Sequence, residues 1–172
     1  MAAMNISRYL QYELIKTEME SEFDPPEEGE EYTNKELWDI KETILQELVD
    51  LMDKSDKVSN KNKLFNDLLN REKKASTAIG KGIAIPHVRT MQAKDMIIVI
   101  GRKLEGYEFD AIDNEPVKLF LCMAAPPYDD SLYLKVFKDL AERFEHPGFI
   151  EKLLNAEDGH EMIWVFKEFE QG

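Results

Sequence analysis

Apolar residues recur along this chain with two different spacings, and the switch between them divides it into three parts. After Thr33, the residues Leu37, Ile40, Ile44, Leu48, Leu51 and Met52 fall at helical spacing, with Trp38 and Leu45 widening the same face. This pattern predicts an amphipathic helix running to about Lys54. Thr33 followed by Glu36 has the form of a capping box, in which each side chain satisfies a backbone N–H of the other. A second helix is expected where Leu64, Phe65, Leu68 and Leu69 make one stripe, with Ser59 or Asn60 as its cap and Arg71 at its end.

The helical spacing then stops. Residues 96–100 and 117–125 are continuous apolar runs of strand length, as expected for strands covered on both faces. A turn at Glu105-Gly106 is expected to separate the first run from residues 107–109, and Asp113-Asn114 to make another. Pro126-Pro127 stops the second run. Helical spacing returns in Tyr133, Val136, Phe137, Leu140, Ala141 and Phe144, after a cap at Asp129 or Asp130. It continues in residues 149–154 behind Pro147, a good first helical residue, and in residues 157–169. At the other end, a helical turn is expected near residues 7–10 and an exposed edge strand at 16–20. Helices, then strands, then helices predict an α/β fold, a mixed sheet flanked by helices on both faces. One domain is expected over residues 4–170.

Charge narrows the picture. The 172 residues carry a formal net charge of -13, which opposes non-specific binding to nucleic acid or to an anionic membrane. Pro25, Pro26 and Gly29 among clustered carboxylates make residues 24–31 a solvated surface insertion rather than a packed element. No apolar run approaches the roughly 18 to 20 residues of a membrane span. The N-terminus lacks the pattern of a secretory signal. The lone Cys122 fits a reducing compartment and, inside an apolar run, reads as an inert core thiol. A cytoplasmic protein without direct membrane insertion is expected.

Candidate chemistry concentrates in residues 76–90. There Ser76, Thr77, Gly80, Gly82, Pro86, His87, Arg89 and Thr90 stand close together. Pro86 stiffens the backbone before His87. The glycines permit a tight turn that aims N–H groups at an anion. Ser76, Thr77 and Thr90 offer hydroxyls, while Arg71 and Arg89 offer fixed positive charge. A neutral imidazole is available near neutral pH to take a phosphoryl group, whose transfer depends on positioning and charge stabilisation. Spacing alone leaves two readings of His87 open, this one and a satisfied histidine in a strand-edge turn. His146 and His160 sit at helix starts, His146 in a local capping role. No compact ligand pattern predicts a metal, and Gly80-Lys81-Gly82 is too short for a phosphate-binding loop of the Gly-x-x-x-x-Gly-Lys-Ser/Thr type. No cofactor is expected.

The stretches Arg71-Glu72, Ser76-Thr77, Ile79-Gly80, residues 82–87 and Arg89, with residues 96–99, 113–117, Leu140-Ala141 and Pro147-x-Phe149, together resemble one family. It is the IIA domains of the fructose/mannitol class of the phosphoenolpyruvate-dependent phosphotransferase system, which also holds nitrogen-regulatory proteins. The resemblance spans residues 5–169. It implies a phosphotransferase component in which His87 takes a phosphoryl group from an HPr-type carrier and passes it to a cysteine of a IIB domain, or holds it as a regulatory signal. Arg71 falls on the family's active-site arginine, and Thr77 and Arg89 also match family positions. The family's second histidine is replaced by Tyr133, which donates a hydrogen bond but carries no positive charge. That replacement leaves an alternative, a degenerate regulatory interaction domain that no longer transfers phosphate.

Overall fold

The two apolar runs become the central antiparallel pair of a mixed sheet. The computed structural model describes residues 5–128 and 130–171. Two short 3-10 turns, Ile6–Tyr9 and Tyr12–Leu14, precede β1 (Ile15–Lys16). Two helices follow, α1 (Asn34–Asp53) and α2 (Lys61–Lys74), and then three short strands, β2 (Ala78–Gly80), β3 (Ile83–Ala84) and β4 (His87–Arg89). The long strands are β5 (Ile97–Tyr107) and β6 (Val117–Ala125), and the chain ends in α3 (Asp130–Arg143), α4 (Pro147–Asn155) and α5 (Gly159–Gln171).

The sheet order is β1-β5-β6-β3-β2, with β4 also paired to β6. β5 and β6 run antiparallel, whereas β3 and β4 lie parallel to β6, one after the other along the same edge. One apolar cluster joins α1 and α2 to one face of the sheet, through Ile44, Leu48, Leu68, Ile97, Val99, Cys122 and Ala124. A second joins α3, α4 and α5 to the other face, through Ile98, Ile100, Leu121, Met123, Val136, Leu140, Phe149 and Phe166. Successive strand residues therefore alternate between two covered faces, which is why the runs read as apolar throughout.

Local signals set the helix ends. Thr33 accepts from the Glu36 N–H at 3.1 Å and Glu36 accepts from the Thr33 N–H at 2.9 Å, completing the capping box. Asn60 caps α2 by accepting from Lys63 N–H at 3.0 Å, and Pro147 occupies the first turn of α4. His146 stands at the N-cap of α4, but its side chain makes no capping bond, contrary to the expected role. His160 is exposed at the start of α5 and stacks on Tyr12, ring centroids 4.1 Å apart. The cap expected at Asp129 or Asp130 lies outside the described residues and side chains.

Three boundaries differ from the pattern. α2 continues past Arg71 to Lys74. The edge strand is shorter than expected, because the chain leaves the ladder after Lys16 and returns only through Met19 N–H on the Arg102 carbonyl at 2.8 Å. The turn expected at Glu105-Gly106 is instead part of β5, where the register with β6 shifts between Arg102 and Tyr107. Gly106 has φ +81°, and a Cβ there would stand 2.5 Å from the Pro116 Cβ. The glycine serves a bulge with a close neighbour, not a reversal of the chain.

Candidate active site

His87 opens β4, opposite Met123 of β6, and its half-buried ring lies against α3. The ring centroid is 4.6 Å from that of Phe137 and 5.9 Å from that of Tyr133. Nδ1 lies 2.6 Å from the carbonyl oxygen of Ile85. A carbonyl only accepts, so Nδ1 carries the proton and Nε2 keeps its lone pair. The second contact agrees, since Nε2 faces Nη2 of Arg71 at 3.5 Å, and a guanidinium only donates. Arg71 reaches the ring from the last turn of α2, with its Nη1 held by the Ala75 carbonyl at 2.9 Å.

The pair opens into a cleft of about 750 Å³ whose walls include Lys74, Arg89, Thr90, Pro127 and Tyr133. Arg89 is exposed, with its guanidinium carbon 5.4 Å from the Tyr133 ring centroid. The acidic wall residue Asp67 accepts a hydrogen bond from Thr90 Oγ1 at 2.5 Å. In a chain of net charge -13, this cleft gathers Arg71, Lys74 and Arg89, an arrangement that favours an anion. A groove of about 670 Å³ beside α1 is lined by Glu20, Glu42, Glu47 and Asp50 against Lys16 and Lys54, an excess of carboxylates that disfavours one.

Burial is the main force lowering the His87 pKa; the Arg71 charge adds to it, while the Ile85 hydrogen bond and the Glu72 charge oppose it. The neutral ring therefore survives to lower pH than the ordinary value of about 6.5. Phosphoryl acceptance by His87 is expected to stay level as pH falls from 8 to 6.5 and to decline only below that, checked by single-turnover rates across that range. The same depression implies that the stability this group contributes is full above the unfolded value and is lost as pH falls from there to the folded one.

The other expected residues divide. Arg71, His87, Arg89, Thr90 and Tyr133 come together around the cleft. Thr77 does not face it; it is buried and donates from both N–H and Oγ1 to Glu72. Ser76 is exposed and donates to the Asp110 carbonyl. Gly80 and Gly82 flank the tight β2–β3 turn, where Lys81 and Gly82 both take positive φ. The Gly82 carbonyl accepts from the N–H groups of Lys118 and Leu119, whereas His87 stands opposite Met123. That offset along β6 puts the glycine turn roughly 15 Å from the ring, so it does not cradle a group on His87. Phe137, Lys74 and the Ile85 carbonyl were missed. Phe137 lies one helical turn after Tyr133 on the same apolar face of α3, where nothing in its residue type marks it apart from the core.

A family model described as phosphoenolpyruvate-dependent sugar phosphotransferase system, EIIA 2, matches residues 31–169. The chain belongs to this family. It is 33% identical over 117 residues to a fructose-specific EIIA component of Haloferax volcanii, covering 68% of this chain and 76% of that protein. It is 29% identical over 131 residues to a fructose-specific EIIABC component of Bacillus subtilis, where the match covers 76% of this chain but 21% of the longer relative. The nitrogen regulatory protein IIA-Ntr from Neisseria meningitidis has the same fold, with a TM-score of 0.77 at 25% identity, covering 94% of this chain and 98% of that one. The chain thus resembles both fructose-specific components and a nitrogen regulatory protein.

Proposed function

We propose that this EIIA protein accepts a phosphoryl group on Nε2 of His87 from an HPr-type carrier, and either passes it to a IIB cysteine or presents it as a regulatory signal. The observation that carries this reading is the contact of Nδ1 with the Ile85 carbonyl, which selects the ring's tautomer. With Nδ1–H tied to the Ile85 carbonyl, the unprotonated nitrogen is the one beside Arg71. Its lone pair attacks phosphorus as the bond from phosphorus to the carrier's histidine nitrogen breaks, and that bonding pair returns to the carrier's ring. His87 loses no proton. Its ring becomes a phosphoimidazolium whose positive charge sits beside an anionic phosphoryl group.

Arg71 stabilises the transferring oxygens at close range, and Arg89 and Lys74 supply charge from the cleft wall. Burial pushes the Tyr133 phenol up to about 12. It therefore stays a neutral group across the working range and lends no charge to the transfer. Among the described residues, no helix is long and apolar enough to cross a membrane. The cytoplasm, where a soluble carrier would meet it, is the place this reading assigns.

Incubation with a phosphoenolpyruvate-charged HPr-type carrier is expected to place one acid-labile phosphate on His87, with NMR assigning it to Nε2. Label on another residue, or none from any cognate carrier, would overturn the reading.

A further inference from the structure

The carboxylate of Glu72 is 2% exposed and stands between the two elements that meet at the site, without entering the cleft. We propose that Glu72 is the positioning residue for both halves of the phosphoryl-accepting pair, acting through a hydrogen-bond chain that ends on Nδ1 of His87. The inference rests on the reading of His87 as the acceptor.

The chain can be followed bond by bond. Glu72 Oε1 accepts the Thr77 N–H at 3.1 Å and Oε2 accepts the Thr77 hydroxyl at 2.6 Å. The Thr77 carbonyl accepts the Ile85 N–H at 2.9 Å. The Ile85 carbonyl in turn accepts Nδ1–H of His87 at 2.6 Å. A carboxylate three links away thus holds the residue between β3 and β4 that selects the tautomer of the ring. Glu72 also follows Arg71 directly in α2, and Arg71 is tied back to Ala75 within the same turn. Moving Glu72 relative to Thr77 would move Nη2 of Arg71 relative to Nε2 of His87.

A carboxylate buried this deeply without a counter-charge would be strongly destabilising. Lys41 prevents that. Its Nζ is 3.1 Å from Glu72 Oε1 and 3.7 Å from Asp110 Oδ2, and the residue is itself 2% exposed. The ammonium is further accommodated by the rings of Trp38 and Phe109, at 4.9 Å and 5.1 Å from their centroids. The product gives the arrangement its chemical sense. With phosphorus on Nε2 and hydrogen on Nδ1 the ring is cationic, and a carbonyl held rigidly at Nδ1–H favours that form as a second-shell acceptor favours a metal-bound imidazole.

The test compares wild type with Thr77→Val and with the double variant Lys41→Met/Glu72→Gln, which removes the carboxylate without stranding a buried ammonium. Nitrogen-15 shifts of the His87 ring report the Nδ1–H fraction, and single-turnover phosphorylation reports the consequence. Wild type is expected to show one tautomer. The double variant, folded, is expected to show a mixture and to accept phosphate about 10-fold more slowly or worse. Thr77→Val, which keeps the charge, is expected to fall between. A folded double variant with the wild-type tautomer and rate would overturn the proposal and leave Glu72 a structural ion pair. If wild type accepts no phosphate while the double variant still loses the tautomer, the positioning role stands and the acceptor reading falls.

Discussion

Replacing Arg71 with alanine is expected to slow phosphoryl transfer onto His87 by about 100- to 1,000-fold, while His87→Ala takes up no phosphate at all. The magnitude follows from where the arginine stands. Nη2 is 3.5 Å from Nε2, the nitrogen proposed to attack, and Nη1 is anchored on the Ala75 carbonyl, so the charge is in place before the donor arrives. A charge that needs no reorganisation when the phosphoryl group passes is the kind that lowers a barrier most. Water entering the emptied space would solvate the oxygens, but it would have to reorient during the transfer. Arg71→Lys is expected to recover only part of the loss, because an ammonium cannot hold Ala75 and face His87 at once.

A second readout separates this effect from damage to the fold. The Arg71 charge helps hold the His87 pKa down, so its removal is expected to raise that pKa toward the ordinary value. Titration of the His87 ring by NMR would detect the rise in a folded Arg71→Ala protein. An unchanged titration with an unchanged transfer rate would remove Arg71 from the site. A depressed rate with the raised pKa is the expected pair, since the same charge stabilises the phosphoryl oxygens and disfavours a proton on Nε2.

The layers of the fold were readable because both periodicities are strong: helical stripes in α1 and α3, and unbroken apolar runs in β5 and β6. Arg71 and His87 stand out in the sequence for a different reason, the rarity of a proline-histidine pair with arginines near it. What the sequence could not display was direction. Thr77 and Gly82 both precede His87 within ten residues, yet one turns into the core toward Glu72 and the other sits at the far end of β6. Neighbours along a chain that reverses at Lys81 are not neighbours in space. The acidic stretch at 24–31 is mostly exposed, and its position in the fold was not displayed by the sequence either. Its Pro26, Glu30 and Glu31 share a groove with Glu108, Asp110 and Ala111, just past the end of β5 that lies away from His87. Lys41 interrupts the apolar stripe of α1, one turn from Leu37, Ile44 and Leu45, and only the packing reveals it as the counter-ion of Glu72.

Arg102→Ala is expected to cost about 3–5 kcal/mol of stability, lowering the melting temperature by about 10 °C or more. The sequence pattern ended the strand before this residue, whereas β5 runs through it and leaves the side chain 7% exposed. Its Nη1 donates to the carbonyls of Leu153, Leu154 and Ala156, at 2.9, 3.2 and 2.7 Å, and Nε donates to the Thr17 carbonyl at 3.0 Å. These are the last carbonyls of α4 and the residue just beyond it, groups that a helix end leaves without partners. A positive charge at that end also meets the negative pole of the helix. Truncation would orphan several carbonyls at once in a place water reaches poorly, which is why the cost exceeds that of one hydrogen bond. Arg102→Lys is expected to recover less than half, since a single ammonium cannot span α4 and the strand-side carbonyl of Thr17 together. Denaturant unfolding of both variants checks the order, and equal stability of wild type and Arg102→Ala would show that α4 is held by its apolar face alone. His87 phosphorylation measured well below the melting temperature is expected to be unchanged, because Arg102 ties α4 to the sheet at a point removed from the cleft.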